Sequence, residues 1–181
     1  MIARVWCAVA VVTLMAAPAA AQTPPPRWEV FGGYSLLSAT PNDFPRGTSS
    51  GVEGGVALHV KPWWAFEFSA AAQFNTSGDL GYNFPGVVAS SSVTELLGGP
   101  QFIVRTGRVD AFGHALVGIA LGRTSLQGFS DSGFALGGGG GVDIRINHGL
   151  AVRVHAEYVG GFVDLMEGDL RLGAGLVVRL K

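Results

Sequence analysis

Seven stretches downstream of residue 50 alternate strictly between apolar and polar or very small residues, and nearly all of their charges fall on one parity. In the segment 65–75, Phe66, Phe68, Ala70, Ala72 and Phe74 share one side, while Glu67, Ser69, Ala71, Gln73 and Asn75 share the other. Successive side chains of a strand point to opposite faces, so each stretch is a ribbon with one oily surface and one polar surface. A helix would spread the same residues over every direction. Only a sheet keeps them apart, and the pattern excludes a helical fold for most of the chain.

Eight strands are predicted, over 28–37, 51–60, 64–74, 91–105, 109–122, 134–146, 150–159 and 170–181. Each reaches or passes the ~9–11 residues that a tilted membrane-spanning strand needs. The connections alternate in length. Residues 61–63, 106–108 and 147–149 are tight, with Pro62, Gly107, Asn147 and Gly149 as turn formers. Residues 38–50, 75–90, 123–133 and 160–169 are longer and rich in Ser, Gly, Asn and Asp. Short turns at one end and long loops at the other are the pattern of outer-membrane barrels, with the turns facing the periplasm. Both termini are then expected in the periplasm, with no peptidoglycan-binding module after the last strand.

The front of the chain fits export. Residues 1–21 read as a signal peptide: Arg4 supplies the positive start, residues 5–14 the apolar core, and Ala19-Ala20-Ala21 the small-residue cleavage site. That apolar core is too short for a spanning helix, which needs ~20 residues. Residues 22–27 form a Pro-rich lead-in, and 28–181 the barrel. The single cysteine, Cys7, lies in the leader, so disulfides and thiol chemistry are not expected beyond it. The formal charge is −1, and it becomes one unit more negative without Arg4, which offers no basic field for nucleic acid. Mean hydropathy is +0.37, and beyond the leader the lysines are only Lys61 and Lys181. A soluble β-protein normally covers its solvent face with Lys, Glu and Thr, which are too scarce here to do so.

The segments WEVFGGYSLL, GVEGGVALHV, LAVRVHAEYV and LRLGAGLVVRL resemble the strands of small eight-stranded outer-membrane barrels, the membrane domain of OmpA and its opacity-protein-like relatives. The resemblance covers essentially the whole chain after the leader. It implies an all-β fold: an eight-stranded antiparallel up-and-down transmembrane β-barrel in the outer membrane of a Gram-negative-type bacterium, in contact with outer-membrane lipid and monomeric. Members typically end in an aromatic residue, whereas this chain ends Leu180-Lys181. The alternation of Leu172, Ala174, Leu176, Val178 and Leu180 persists to that end.

Parity also assigns the surfaces. Val52, Val56, Val117, Ile119, Val142, Ile144 and Val154 belong to the apolar set. The opposite set interleaves charges with small residues such as Gly55, Ala57, Gly137, Gly139, Gly173 and Gly175. Small residues among charges suit the cramped inside of an eight-stranded barrel, which side chains just fill. The inverse arrangement would put Arg145 and Arg153 in lipid at ~2–4 kcal/mol each near the midplane. The expected interior is therefore a charge network of Glu53, Glu67, Glu95, Asp143, Arg145, Arg153, His155, Glu157 and Arg171, plugging the lumen. Trp28, Trp63 and Trp64 at the turn end, and Tyr34, Phe74, Phe134 and Tyr158 at the loop end, are candidates for the two aromatic girdles of a membrane barrel.

Chemistry is harder to find. Some small barrels modify lipid A with a His and a Ser two residues on, but the residues two after each histidine are Lys61, Leu116, Leu150 and Glu157. No catalytic residues, cofactor or metal are expected. His59, His114 and His155 all point inward but lie on separate strands, without a close-spaced ligand pair. The run 137–141 lacks the Lys-Ser/Thr and helix of a phosphate-binding loop, so it is read as room for neighbouring side chains or a bend in the wall. Loops on a rigid scaffold commonly carry recognition. Tyr82, Phe84, Phe162 and Met166 are the candidate contacts for an extracellular partner. The expected role is non-catalytic, structural or surface contact. The alternatives are a narrow channel, a lipid-modifying enzyme, or a soluble lipocalin-type carrier with the oily face around a pocket.

Overall fold

In the computed structural model, the described residues are 26–38, 48–79, 88–124, 130–161 and 168–180. They form β1 (Trp28–Ser38), β2 (Thr48–Lys61), β3 (Trp64–Asp79), β4 (Val88–Thr106), β5 (Val109–Thr124), β6 (Ser130–Arg145), β7 (Leu150–Gly161) and β8 (Asp169–Leu180). Each strand pairs antiparallel with its neighbours in sequence, and β1 pairs with β8, which closes the barrel without an edge. The leader 1–21, most of the lead-in, and the loop residues Tyr82, Phe84, Phe162 and Met166 lie outside the described residues.

The predicted and observed strands differ mainly at the loop end. β2 begins at Thr48, β3 continues to Asp79, β4 begins at Val88 and β6 at Ser130. Apart from Val88 and Ala89, these extensions consist of polar residues and glycine and carry no alternation, because above the lipid neither face has to be apolar. Their backbones pair with the neighbouring strands, with a register irregularity between Asn75 and Gly78. At the other end the turns are tight for local reasons. Gly107 takes φ 59°, a left-handed conformation that glycine adopts without steric cost, while the Thr106 hydroxyl donates to the Val109 carbonyl at 2.7 Å. The Gly149 amide donates to the Asn147 side-chain oxygen at 2.8 Å, closing the β6–β7 turn.

The two faces separate as their parity demands. Phe68, Val117, Leu136, Val154 and Leu172 are exposed on the outside, whereas Glu67, Glu95, Asp110, Asp143, Arg153, Glu157 and Arg171 are buried inside. A lipocalin-type carrier would need the reverse. Two small apolar clusters share the interior with the charges. Leu97, Leu116, Ala120, Ala135 and Val159 sit toward the loop end, and Ala57, Ala65, Ile103 and Phe112 toward the turn end.

Candidate functional site

The polar interior is built by strand register. Asp143 on β6 stands directly opposite Arg153 on β7, and Arg153 donates to both of its oxygens at 2.7 and 3.0 Å. Glu157 on β7 stands opposite Arg171 on β8, with a hydrogen bond of 2.6 Å. Arg105 on β4 faces Asp110 on β5, donating at 3.3 Å. Such directly opposed pairs are the unit of sheet stabilisation. One facing pair has like charges, Asp110 and Asp143. Arg145 and Arg179 compensate it: Arg145 donates to Asp110 at 2.5 and 3.0 Å, and Arg179 reaches Asp110 at 2.8 Å and Asp143 at 3.4 Å.

Glu29 on β1 stands opposite Arg179 on β8 at 3.0 Å, and it also lies 3.4 Å from His59 on β2 and 3.7 Å from Arg153 on β7. Other contacts span non-adjacent strands. The Arg153 guanidinium sits between two inward rings, 5.2 Å from the centroid of Phe31 and 4.3 Å from that of Phe112. Toward the loop end, Arg171 bonds Glu95 and Glu157 and lies 3.8 Å from Glu53. His155 is 3.4 Å from Glu53, and His114 is 2.9 Å from Glu67 and 4.0 Å from Glu157. Gln73 donates to the Ser35 hydroxyl at 2.6 Å.

The small residues make this density feasible. A Cβ at Gly173 would collide with the Glu53 carboxylate and the His155 ring, and one at Gly137 with the Glu157 carboxylate. The cavity left among Glu53, Glu67, His114, Arg153, His155 and Arg171 measures about 20 Å³, the room one water occupies. Among the described residues, no group of three or more His, Cys, Asp or Glu side chains is placed to hold a metal ion. Each inward histidine instead faces a carboxylate.

All nine residues expected in the interior network lie on the inner face, and seven of them, all but Glu67 and Arg145, are within 4 Å of another expected member, while Glu67 pairs with His114. Arg145 bonds Asp110 instead. Glu29, Arg105, Asp110 and Arg179 belong to the observed network but not to the expected one. The parity of Glu29, between outward Trp28 and Val30, was the available signal. Inward Phe31 and Leu37 blurred it. On the outside, Trp28 and Trp63 stand exposed at the turn end, with Trp64 half-buried beside them. Trp63 stacks on Phe102 at 6.2 Å, with the Lys61 ammonium 5.5 Å from the Trp63 ring. Tyr34, Phe74, Phe134 and Tyr158 are exposed toward the loop end.

A closed antiparallel barrel with an oily wall and an ionic interior fits a membrane protein, and a family model narrows it. The outer membrane protein beta-barrel domain matches residues 7–177. The chain belongs to that family. This outer-membrane barrel resides in the Gram-negative outer membrane, its apolar wall against lipid. It is similar to the solved structure of Ail, the attachment invasion locus protein of Yersinia pestis, with TM-score 0.57 and 17% identity, covering 84% of this chain and 99% of that chain. A second Ail structure, in complex with the heparin analogue sucrose octasulfate, gives TM-score 0.55 and 18% identity, covering 84% and 99%. Neisserial surface protein A gives TM-score 0.64 and 14% identity, covering 84% and 97%. At these identities the likeness concerns the fold. A search of curated proteins finds no match.

Proposed function

We propose that this outer-membrane barrel is a non-catalytic, sealed scaffold that presents its loops for structural or surface contact. The observation that carries the reading is the filled interior. Five arginines interlock with carboxylates inside the bore, and the cavity among Glu53, Glu67, His114, Arg153, His155 and Arg171 has room for about one water. Among the described residues, mutually paired charges occupy the bore, which supports a lumen closed to solutes. Tyr82, Phe84, Phe162 and Met166, on the loops, are the residues we propose as contacts.

Ail and the Neisserial surface protein support a surface role by their names alone. The partner chemistry differs from that of a heparin analogue. The loop side of this chain carries Asp43, Asp79, Asp131, Asp164 and Glu167 against Arg46 and Arg123, so a polyanion is a poor fit and a neutral or cationic partner a better one. Recordings of purified monomer in planar bilayers test the sealed-scaffold reading. No steady conductance above the bare membrane is expected, whereas large, lasting steps from monomer would contradict it.

A further inference from the structure

The charges at the turn end of the barrel fall into two populations. Arg105, Arg145, Arg153 and Arg179 point inward and are tied to Glu29, Asp110 and Asp143. Arg27, Lys61 and Arg108 are exposed, together with His148. Among the described residues, none of these outward groups has a carboxylate at ion-pair distance. The sequence explains why: segments 22–28, 61–64, 106–109 and 146–150 contain no Asp or Glu. The nearest carboxylates, Glu29 and Asp110, are buried inside and engaged there.

Backbone pairing distributes the outward cations around the rim. The Arg27 carbonyl accepts from the His59 amide at 3.0 Å, two residues before Lys61. The Arg108 carbonyl accepts from the Arg145 amide at 2.9 Å, beside the turn that carries His148. Every corner of this end therefore presents positive charge or a histidine donor, while the loop side is acidic. Trp63 fixes the depth of one of them: it is 53% exposed, stacked on Phe102, and the Lys61 ammonium lies 5.5 Å from its ring. An indole seeks the boundary between acyl chains and headgroups, so Lys61 is held at the level of the phosphates.

We propose that this rim binds anionic phospholipid headgroups of the periplasmic leaflet, with Arg27, Lys61 and Arg108 as the phosphate contacts. A guanidinium meets two oxygens of a phosphodiester in one plane, and an ammonium meets one as a point charge. With no Asp or Glu side chain in the rim segments 22–28, 61–64, 106–109 and 146–150, a lipid of net negative charge is favoured over a zwitterionic one, whose own ammonium is repelled. The acidic loop side opposes the same lipids, so the preference belongs to one leaflet.

Tryptophan reports the test directly, because beyond Trp6 the chain's tryptophans are Trp28, Trp63 and Trp64, all at this rim. Full-length chain carrying Trp6→Phe is folded into phosphatidylcholine vesicles containing either dibrominated phosphatidylglycerol or an equal share of dibrominated phosphatidylcholine. Bromine quenches indole at contact, and the two quenching curves give a relative binding constant. A preference for phosphatidylglycerol of roughly three- to tenfold is expected. It should fall to near unity in the Arg27→Gln, Lys61→Gln, Arg108→Gln variant, and in the unsubstituted rim at high salt, where exposed charges are screened. The salt series needs no rim substitution and stands even where the variant folds poorly. Equal quenching by the two lipids at low salt overturns the proposal, and so does a preference that survives both high salt and the triple substitution.

Discussion

Replacing Arg171 with alanine is expected to destabilise the folded barrel by about 3–5 kcal/mol, among the largest effects of any single substitution inside it. The guanidinium bonds Glu95 and Glu157 and lies 3.8 Å from Glu53, and Glu95 is only 1% exposed. Removing it leaves carboxylates facing one another in a space that water barely enters. The cost comes from uncompensated charge rather than from lost packing. Arg171→Ala combined with Glu95→Gln and Glu157→Gln, which removes the same volume but leaves no unpaired carboxylates, should therefore recover much of the loss. Denaturant titration of the barrel in lipid vesicles, followed by rim tryptophan fluorescence, measures both. Equal destabilisation by the single and triple variants would mean that Arg171 acts mainly by filling volume.

Val154→Arg is expected to cost about 2–4 kcal/mol, while Ile146→Arg costs about 0–1 kcal/mol, although both replace an exposed aliphatic residue. Val154 lies on β7 midway between Leu150 at the turn end and Tyr158 near the loop end, and it is 49% exposed. Ile146 sits in the β6–β7 turn and is 59% exposed. In water the two substitutions would be equally mild. Only a hydrocarbon layer, deepest at Val154, separates them, because an arginine there must drag its charge through lipid or bend toward the headgroups. The same titrations report the difference, and matching costs at the two positions would deny that the wall faces lipid.

Much of this architecture was legible in the residues, for a physical reason. A strand with lipid on one side and a crowded bore on the other has no freedom to misplace a side chain, so β3, from Phe66 to Phe74, reads without ambiguity. β1 reads poorly because Phe31 and Leu37 turn inward. Phe31 packs against the Arg153 guanidinium, so a ring occupies a place that a polar residue was expected to take, and Glu29 beside it went unassigned. The loop-end extensions were illegible because Ser, Gly and Asp above the lipid carry no alternation. The pairing of charges was also out of reach. Parity shows that Glu95 and Arg171 face the same bore, but they are 76 residues apart. Which carboxylate meets which arginine depends on the closure of β8 onto β1 and on the stagger of every strand between.

Nitroxide labels placed singly at Val56 and Val154, in protein folded into vesicles, address the account most directly. Collision with dissolved oxygen, which concentrates in the acyl region, should dominate at both sites, and collision with a water-soluble nickel chelate should be nearly absent. Labels quenched by the chelate and shielded from oxygen would place these side chains in an aqueous bore and contradict the assignment of the two faces.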